Sequence, residues 1–422
     1  MAATRWSMRG SFSSNILIPE GNSPKADEPL TPVALDESGY ISKTQYLLKE
    51  LSTFPEIKDK QYELFLKELA FLPALAQQQA RWKTPYKIVK AAGDCDGAQT
   101  IAKIFKSLTT THDLSESSNQ GMVIWTLRLI VNLSSLDGVP TPFADLLCEQ
   151  ETHIIILELL NPIKTDLDKD KEEDCEIIKD GMNALYALSR SSVNKTKIHK
   201  SSGVSILTPY LNSDDVFLQA RSLLILANIV DETEGERIDD EYGTIKLIIN
   251  FIYEALTNEE TKFIWKQGNL KYFFYLRDLL VGLDRLSVID TNKSRIIEAA
   301  GLSALSEILE KGNPDNQLLA AKIVWNLTFD PKCQQAIRES PLLPVLEKYC
   351  YHGNKDVRVK VKGALWKLTD QVSIDKPERS DHVMISYCWS QKHLVQNLNK
   401  ALWARGYDIW MDVEQMTGKQ FK

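Results

Sequence analysis

The sequence predicts an all-helical repeat solenoid followed by a short α/β segment. Three observations lead there. Apolar residues recur at helical spacing over most of the chain. A block with the same ending returns every 41 residues in three of five steps. Helical spacing then stops, and two short apolar runs flank one further helix near the C-terminus.

Composition sets the frame. The 422 residues suit two or three domains or one long stack, and 25% charged with 43% hydrophobic residues is ordinary for a globular chain. The net charge of −7 argues against a nucleic-acid binder. The six cysteines form no C-x-x-C pair, so free thiols in a reducing compartment are expected, with no zinc or redox site. The longest largely apolar run, 223–230, falls far short of a membrane span.

Residues 1–40 carry Ser, Pro and Gly clusters and read as a disordered tail. Residues 1–19, with Arg5, Arg9, four serines and no acid, also have the composition of a mitochondrial presequence, the alternative to a cytoplasmic setting. The helical repeat region is expected over 41–372, clearest from 120 to 370. Tyr46, Leu47, Leu51 and Phe54 fit one helix face. Tyr62, Leu64, Phe65, Leu66, Leu69 and Phe71 make a second helix, which Pro73 is expected to close. Two more helices follow at 85–92 and 98–108.

The repeat is clearest at 284–331. Asn292 starts a short helix ending at Gly301, where a left-handed turn is expected of glycine. Residues 302–309 form a second helix, and 318–327 a third, almost wholly apolar one. Asn194 to Gly203 repeats the pattern 98 residues earlier, and each glycine precedes an asparagine (Asn228, Asn326) by 25 residues. Six copies of the third helix align at Asn132, Ala187, Asn228, Arg285, Asn326 and Lys367. The steps are 55, 41, 57, 41 and 41. The two long steps are assigned to charged insertions at 161–174 and 231–241, because insertions in repeat arrays map to loops.

The period, the x-N-L-S/T endings at 131–134 and 325–328, and the I-x-x-x-G-x-x-x-L core from Ile297 to Leu305 resemble the armadillo family. That resemblance implies a right-handed armadillo/HEAT-type solenoid whose concave groove binds protein partners. Asn132, Asn228 and Asn326, with Arg285 and Lys367 at the interrupted rungs, are the groove candidates. Nuclear-signal binding is not expected, since Arg128, Leu224 and Lys322 stand where the importin-like pattern has tryptophan. Asparagines that brace one repeat against the next are the structural alternative to peptide rungs. Trp125, Trp325 and Trp366 are read as core.

Residues 373–380 form a linker. The strand 382–387, the helix 391–405 capped by Gly406, and the strand 407–411 give β–α–β. Val383 to Tyr387 and Gly406 to Glu414 resemble the start of a TIR domain, over 381–422. Ser386 and Tyr387 fall in its first box. Asp412, Glu414, Gly418 and Lys419 fall in the region of its BB loop. The resemblance is to animal armadillo–TIR proteins, SARM-like without SAM domains, and implies TIR–TIR association. The chain ends at Lys422, before the glutamate with which SARM-type enzymes cleave NAD. Cys388 and Trp389 replace their box-one arginines. An ended sheet points to a longer parent, and an armadillo-regulated NAD hydrolase is the alternative for such a parent. For this chain the reading is a non-enzymatic signalling scaffold with no catalytic residue, cofactor, metal, nucleic acid or membrane partner. Asp166-x-Asp168-x-Asp170 fails as a calcium loop, with Lys171 and Ile177 at the key positions. Gly418-Lys419 lacks the rest of a phosphate loop.

Overall fold

The computed structural model describes residues 35–54, 60–79, 83–110, 117–136, 139–161, 172–230, 243–258, 262–267, 270–351, 353–368, 382–385, 395, 398, 402 and 408–411. The chain divides into two compact units, 1–368 and 369–422. Each is described by itself.

The first unit holds nineteen α-helices among the described residues. They are α1 (Glu37–Leu51), α2 (Lys60–Gln79), α3 (Thr84–Asp94), α4 (Gly97–Thr110), α5 (Ser117–Ser134), α6 (Phe143–Glu149), α7 (Thr152–Leu160) and α8 (Glu172–Ser189). Next come α9 (Ser192–Lys200), α10 (Gly203–Leu207, continued by a 3-10 turn), α11 (Val216–Ile229), α12 (Thr244–Thr257) and α13 (Leu276–Leu286). The last are α14 (Asp290–Glu298), α15 (Gly301–Lys311), α16 (Pro314–Leu327), α17 (Pro331–Arg338), α18 (Leu342–Tyr349) and α19 (Lys355–Leu368). The start of α1 lies inside the stretch read as tail, because Asp36 caps it by accepting from the Gly39 amide.

Third helices form one row. In order, α2, α5, α8, α11, α13, α16 and α19 each pack on the next. Second helices α4, α7 and α10 stack likewise, as do α12, α15 and α18, and first helices pair α3 with α6, α6 with α9 and α14 with α17. This is an armadillo-like all-helical stack, and one hydrophobic core runs through it from Tyr40 to Leu368. Caps fix the entry of several third and first helices: Asp215, Asn313 and Asp330 accept from backbone amides of α11, α16 and α17.

The row has one helix more than the six copies read from the sequence. Pro73 was expected to end the second helix, yet α2 runs through it to Gln79. The proline removes one backbone donor, and packing against α5 outweighs that loss.

The left-handed turn also lies one residue from where it was expected. Asp96, Glu151, Ser202, Gly243 and Ala300 have φ of 51–71°. Each stands just before a second helix (α4, α7, α10, α12, α15). Gly203 and Gly301 follow the turn. Their glycine is required by close approach: an added Cβ would lie 2.7 Å from the Ile198 carbonyl oxygen at Gly203 and 2.5 Å from that of Ile296 at Gly301. Gly97 is in the same position against Ala92, at 2.5 Å.

The larger insertion is a hairpin, and it is not where the acidic run suggested. The step across 231–241, from the end of α11 at Ile229 to the start of α12 at Thr244, is no longer than its counterparts, Leu286 to Gly301 and Leu327 to Leu342. The stretch from Thr244 to Leu286 is the long one, set against its counterpart from Gly301 to Leu327. The antiparallel strands β3 (Lys262–Gln267) and β4 (Leu270–Tyr275) fill that excess. The other long step is divided. A small part precedes α7, where the short strands β1 (Ser135–Leu136) and β2 (Val139–Pro140) pair, and the larger part follows the start of α7. The Asp166–Asp170 stretch itself lies outside the described residues.

Of the three tryptophans expected in the core, Trp125 is buried and Trp325 half-buried, but Trp366 is 66% exposed. It shares with Lys355, Val359 and Lys362 the exposed stripe of α19. The apolar spacing of α19 is satisfied without it, by Val357, Val361, Ala364, Leu365 and Leu368. The five described cysteines are free thiols.

In the second unit β5 (His382–Ile385) and β6 (Asp408–Met411) pair in parallel, His382 opposite Asp408 and Ile385 opposite Met411. Residues 395, 398 and 402 between them are helical. Val395 is buried while Leu398, three residues on, is 47% exposed. Ser386, Tyr387, Asp412, Glu414, Gly418 and Lys419 lie outside the described residues.

Gly301→Ala is expected to destabilise the stack by roughly 1–3 kcal/mol, since a backbone carbonyl yields little to a new methyl group. Urea unfolding followed by circular dichroism measures it. A change below about 0.5 kcal/mol, the size of an ordinary surface substitution, would contradict the close-approach account.

Candidate functional site

The third-helix row carries every groove candidate, and the asparagines there point into the stack. The side-chain amide of Asn132 donates to the Ala70 carbonyl of α2 at 2.9 Å. That of Asn228 donates to Ser189 Oγ of α8 at 2.9 Å. That of Asn326 donates to Ser287 Oγ, just after α13, at 2.9 Å and to Asp284 Oδ1 at 3.2 Å. Each reaches the preceding third helix or its end. Asn132 and Asn228 are buried, and Asn326 is half-buried.

Between these struts the row carries buried charges of both signs, and the hairpin covers it. Phe217 of α11 packs on Tyr272 of β4 at a centroid distance of 4.5 Å and on Phe274 at 5.6 Å. Lys179 of α8 lies 4.4 Å over Trp265 of β3 and pairs with Asp215 at 2.6 Å. Arg128 of α5 donates to Asp180 at 2.8 Å and also pairs with Glu176. Burial pushes the Asp180 carboxyl up to about 6, with Arg128 opposing the shift and Glu176 adding to it. The same burial, with Asp180 beside it, holds the Tyr272 phenol well above its ordinary range. Helical spacing runs through α12, with Ile245, Ile248, Ile249, Ile252 and Ala255 buried, and stops before the hairpin. The alternating aromatics of 262–275 are the sequence signal that marks the hairpin.

A small pocket of about 20 Å³, partly open to solvent, lies at the hairpin's edge. Asn183, Tyr186, Ala187 and Arg190, with Arg221 and Phe273, are among its walls. Arg190 pairs with Asp278 of α13 at 2.9 Å. Arg221 donates through Nη2 to the Phe273 carbonyl at 2.9 Å, and its guanidinium lies 4.6 Å from the Tyr186 ring and 4.2 Å from Phe274. Its Nε has no hydrogen-bond partner although the residue is 3% exposed. Burial lowers Arg221 to about 10. Arg285 feels the same cluster: burial lowers it, Tyr186 and Asp284 raise it, and Arg190 lowers it further.

The row ends in an open patch. Lys360 lies 4.7 Å over Trp325, and Lys367 lies 4.9 Å over Phe329 and 5.5 Å over Trp366. Phe329 is 52% exposed. Gly363 lets Trp325 lie flat on α19, for a Cβ there would fall 1.6 Å from the indole. Burial and Lys322 lower the Lys360 ammonium. Among the described residues no cluster of His, Cys, Asp and Glu could hold a metal ion, and no helix is long and apolar enough to cross a membrane.

No protein-family model matches the chain, and a search of curated proteins finds no match. Solved structures do resemble it. An engineered protein is 19% identical over 77% of this chain and 68% of its own, with a TM-score of 0.49. A designed armadillo repeat protein is 17% identical over 64% of this chain and 99% of its own, at 0.44. Another, solved in complex with the peptide (KR)4, is 17% identical over the same shares, at 0.42. The armadillo-like description rests on this chain's own three rows of helices.

Asn228→Ala should cost about 1–2 kcal/mol in urea unfolding, because it leaves the buried Ser189 hydroxyl short of a partner. A neutral result would remove Asn228 as a brace. Asp180 gives a pH prediction. Its carboxyl titrates near 6 when folded and near 4 when unfolded, so its contribution to stability is fully present below about pH 4 and is lost as pH rises through 6. Wild type should therefore lose stability relative to Asp180→Asn between pH 4 and 6, as read from urea midpoints across that range.

Proposed function

We propose that the chain is a non-enzymatic scaffold whose third-helix row takes up a segment of a partner protein. The observation that carries this reading is the open patch of Trp325, Phe329 and Trp366 interleaved with Lys360 and Lys367. Large aromatics left in water beside cations are costly unless a partner covers them, and aromatic residues supply most of the energy of protein interfaces. Lysine ammonium groups over those rings suit an acidic partner segment, which would meet a cation and an apolar face at each contact. Lys367 is then a contact residue. The three asparagines serve as braces, and Arg285 belongs to the covered cluster.

In the second unit, the parallel pairing of β5 with β6 around a helical stretch supports the TIR-like reading of 381–422. On this reading it associates with other TIR domains, and the protein acts in signal transduction in the cytoplasm. Turnover of NAD by a form with a complete TIR domain would favour the alternative, an armadillo-regulated NAD hydrolase.

A peptide array carrying acidic, neutral and basic segments, probed with the full chain, tests the scaffold. Acidic segments with an apolar residue should bind. Lys367→Glu combined with Trp366→Ala should weaken that binding at least tenfold while changing stability by less than about 1 kcal/mol, since neither side chain is buried. Equal binding of basic segments, or an indifferent double variant, would refute it.

A further inference from the structure

The pocket beside the hairpin is built differently from the open patch. Two guanidiniums, Arg190 and Arg221, reach it, and only one is matched by a carboxylate: Asp278 pairs with Arg190 at 2.9 Å. Arg221 has one backbone carbonyl and aromatic faces around it, and its Nε points to no acceptor. A buried cation without a counter-charge is unfavourable, and so is a buried N–H without a partner. Arg221 has the second defect outright and the first in part, since it shares Asp278 with Arg190, and it stands at 3% exposure on the wall of the pocket.

We propose that this pocket binds one carboxylate group, with the Arg221 Nε edge as its ion partner and the Asn183 amide as a second donor. The charge count selects the class. A single unmatched positive charge is balanced by one carboxylate, whereas a phosphate dianion brings a second negative charge with no second unmatched cation on the pocket wall. The geometry agrees, because a carboxylate is planar and matches the edge of a guanidinium. Size limits the ligand: a pocket of about 20 Å³ that is partly open to solvent admits the charged end alone, with the stem directed outward. The carboxylate could come from a free small diacid or from an acidic side chain of a partner protein. The site does not depend on the open patch.

Thermal unfolding of the full chain at constant ionic strength tests this with sodium glutarate, the neutral glutaramide and inorganic phosphate. Glutarate should raise the midpoint with a saturating dependence, as ligand linkage requires, and glutaramide should not. No shift, or equal shifts with glutaramide or phosphate, would overturn the assignment. Arg221→Lys keeps a positive charge but lacks Nε, and should weaken glutarate binding at least tenfold. Because a change at Arg221 can unfold the repeat, Ala187 offers a second route. Ala187→Glu supplies the carboxylate from within, and Ala187→Gln is its neutral isostere. The Glu variant should unfold at the higher temperature and lose its response to glutarate; the opposite order would sink the proposal. The source is then read from a blocked Gly-Glu-Gly peptide. Binding tenfold tighter than glutarate assigns the site to a partner protein, and tenfold weaker binding assigns it to a free acid; either outcome supports the pocket.

Discussion

The structure depends on the burial of third helices by one another. Twelve of the fourteen residues of α11 are buried, so that helix has no face to give to water and exists only between α8 and α13. Each buried Leu or Ile contributes about 1.5–3 kcal/mol, and in α11 that gain requires neighbours on both sides. A stack held this way stabilises each repeat through its interfaces. Where no insertion intervenes, the distance from the start of a second helix to the end of its third helix is constant: Gly203 to Ile229, Gly301 to Leu327 and Leu342 to Leu368. That length brings the next apolar helix back into the row. The left-handed residue before each of five second helices sets the turn that makes this return possible. The glycines after three of those turns let the chain pass close to a carbonyl, where an added Cβ would lie only 2.5–2.7 Å away.

Polar groups in so apolar a row must be answered inside it. The three asparagines do so by reaching the preceding helix, which also fixes register between repeats. The charges answer each other less completely. Arg128 sits between two carboxylates, a surplus of negative charge, so its opposition to the lift that burial gives Asp180 is partly offset by Glu176. Around Tyr186 the surplus is positive, with Arg190, Arg221 and Arg285 set against Asp278 and Asp284. The two clusters lie on the same covered stretch and carry opposite imbalances. This is the pattern expected where buried charge serves specificity or binding more than stability.

Much of the stack is legible in the sequence because its signal is periodic. The 41-residue step, the apolar third helices and the size of the longer excess follow from counting. The location of that excess does not, because 231–241 is rich in acid and resembles an inserted loop, while the hairpin strands are apolar and resemble more of the core. Composition there is no guide to insertion. Pro73 misleads in a similar way. A local rule about helix interiors meets a place where tertiary packing decides, and α2 runs on to Gln79. Trp366 shows the limit of the apolar stripe as a guide to burial, since at the end of a row a tryptophan in an apolar helix can face water. The candidate asparagines are found by register, but register cannot say which way an amide points. The arginine pocket has no sequence signature, for its residues come from four segments.

The hairpin turns one repeated face into two unlike surfaces. Without it, Lys179 and Arg221 would lie open on the row. With it, aromatics of β3 and β4 cover Lys179 and Arg221 and shut the middle of the row down to a small pocket, while the end of the row stays open with its lysines over tryptophan and phenylalanine. Both surfaces are cationic in a chain whose net charge is −7. The local field at the row therefore opposes the field of the whole molecule, and recognition follows the local one. Net charge is a global quantity and says nothing about the sign of the face that binds. An acidic ligand meets repulsion from the whole molecule at long range, which salt screens readily. It meets attraction at the row at short range, which salt screens far less because the cations there are partly buried.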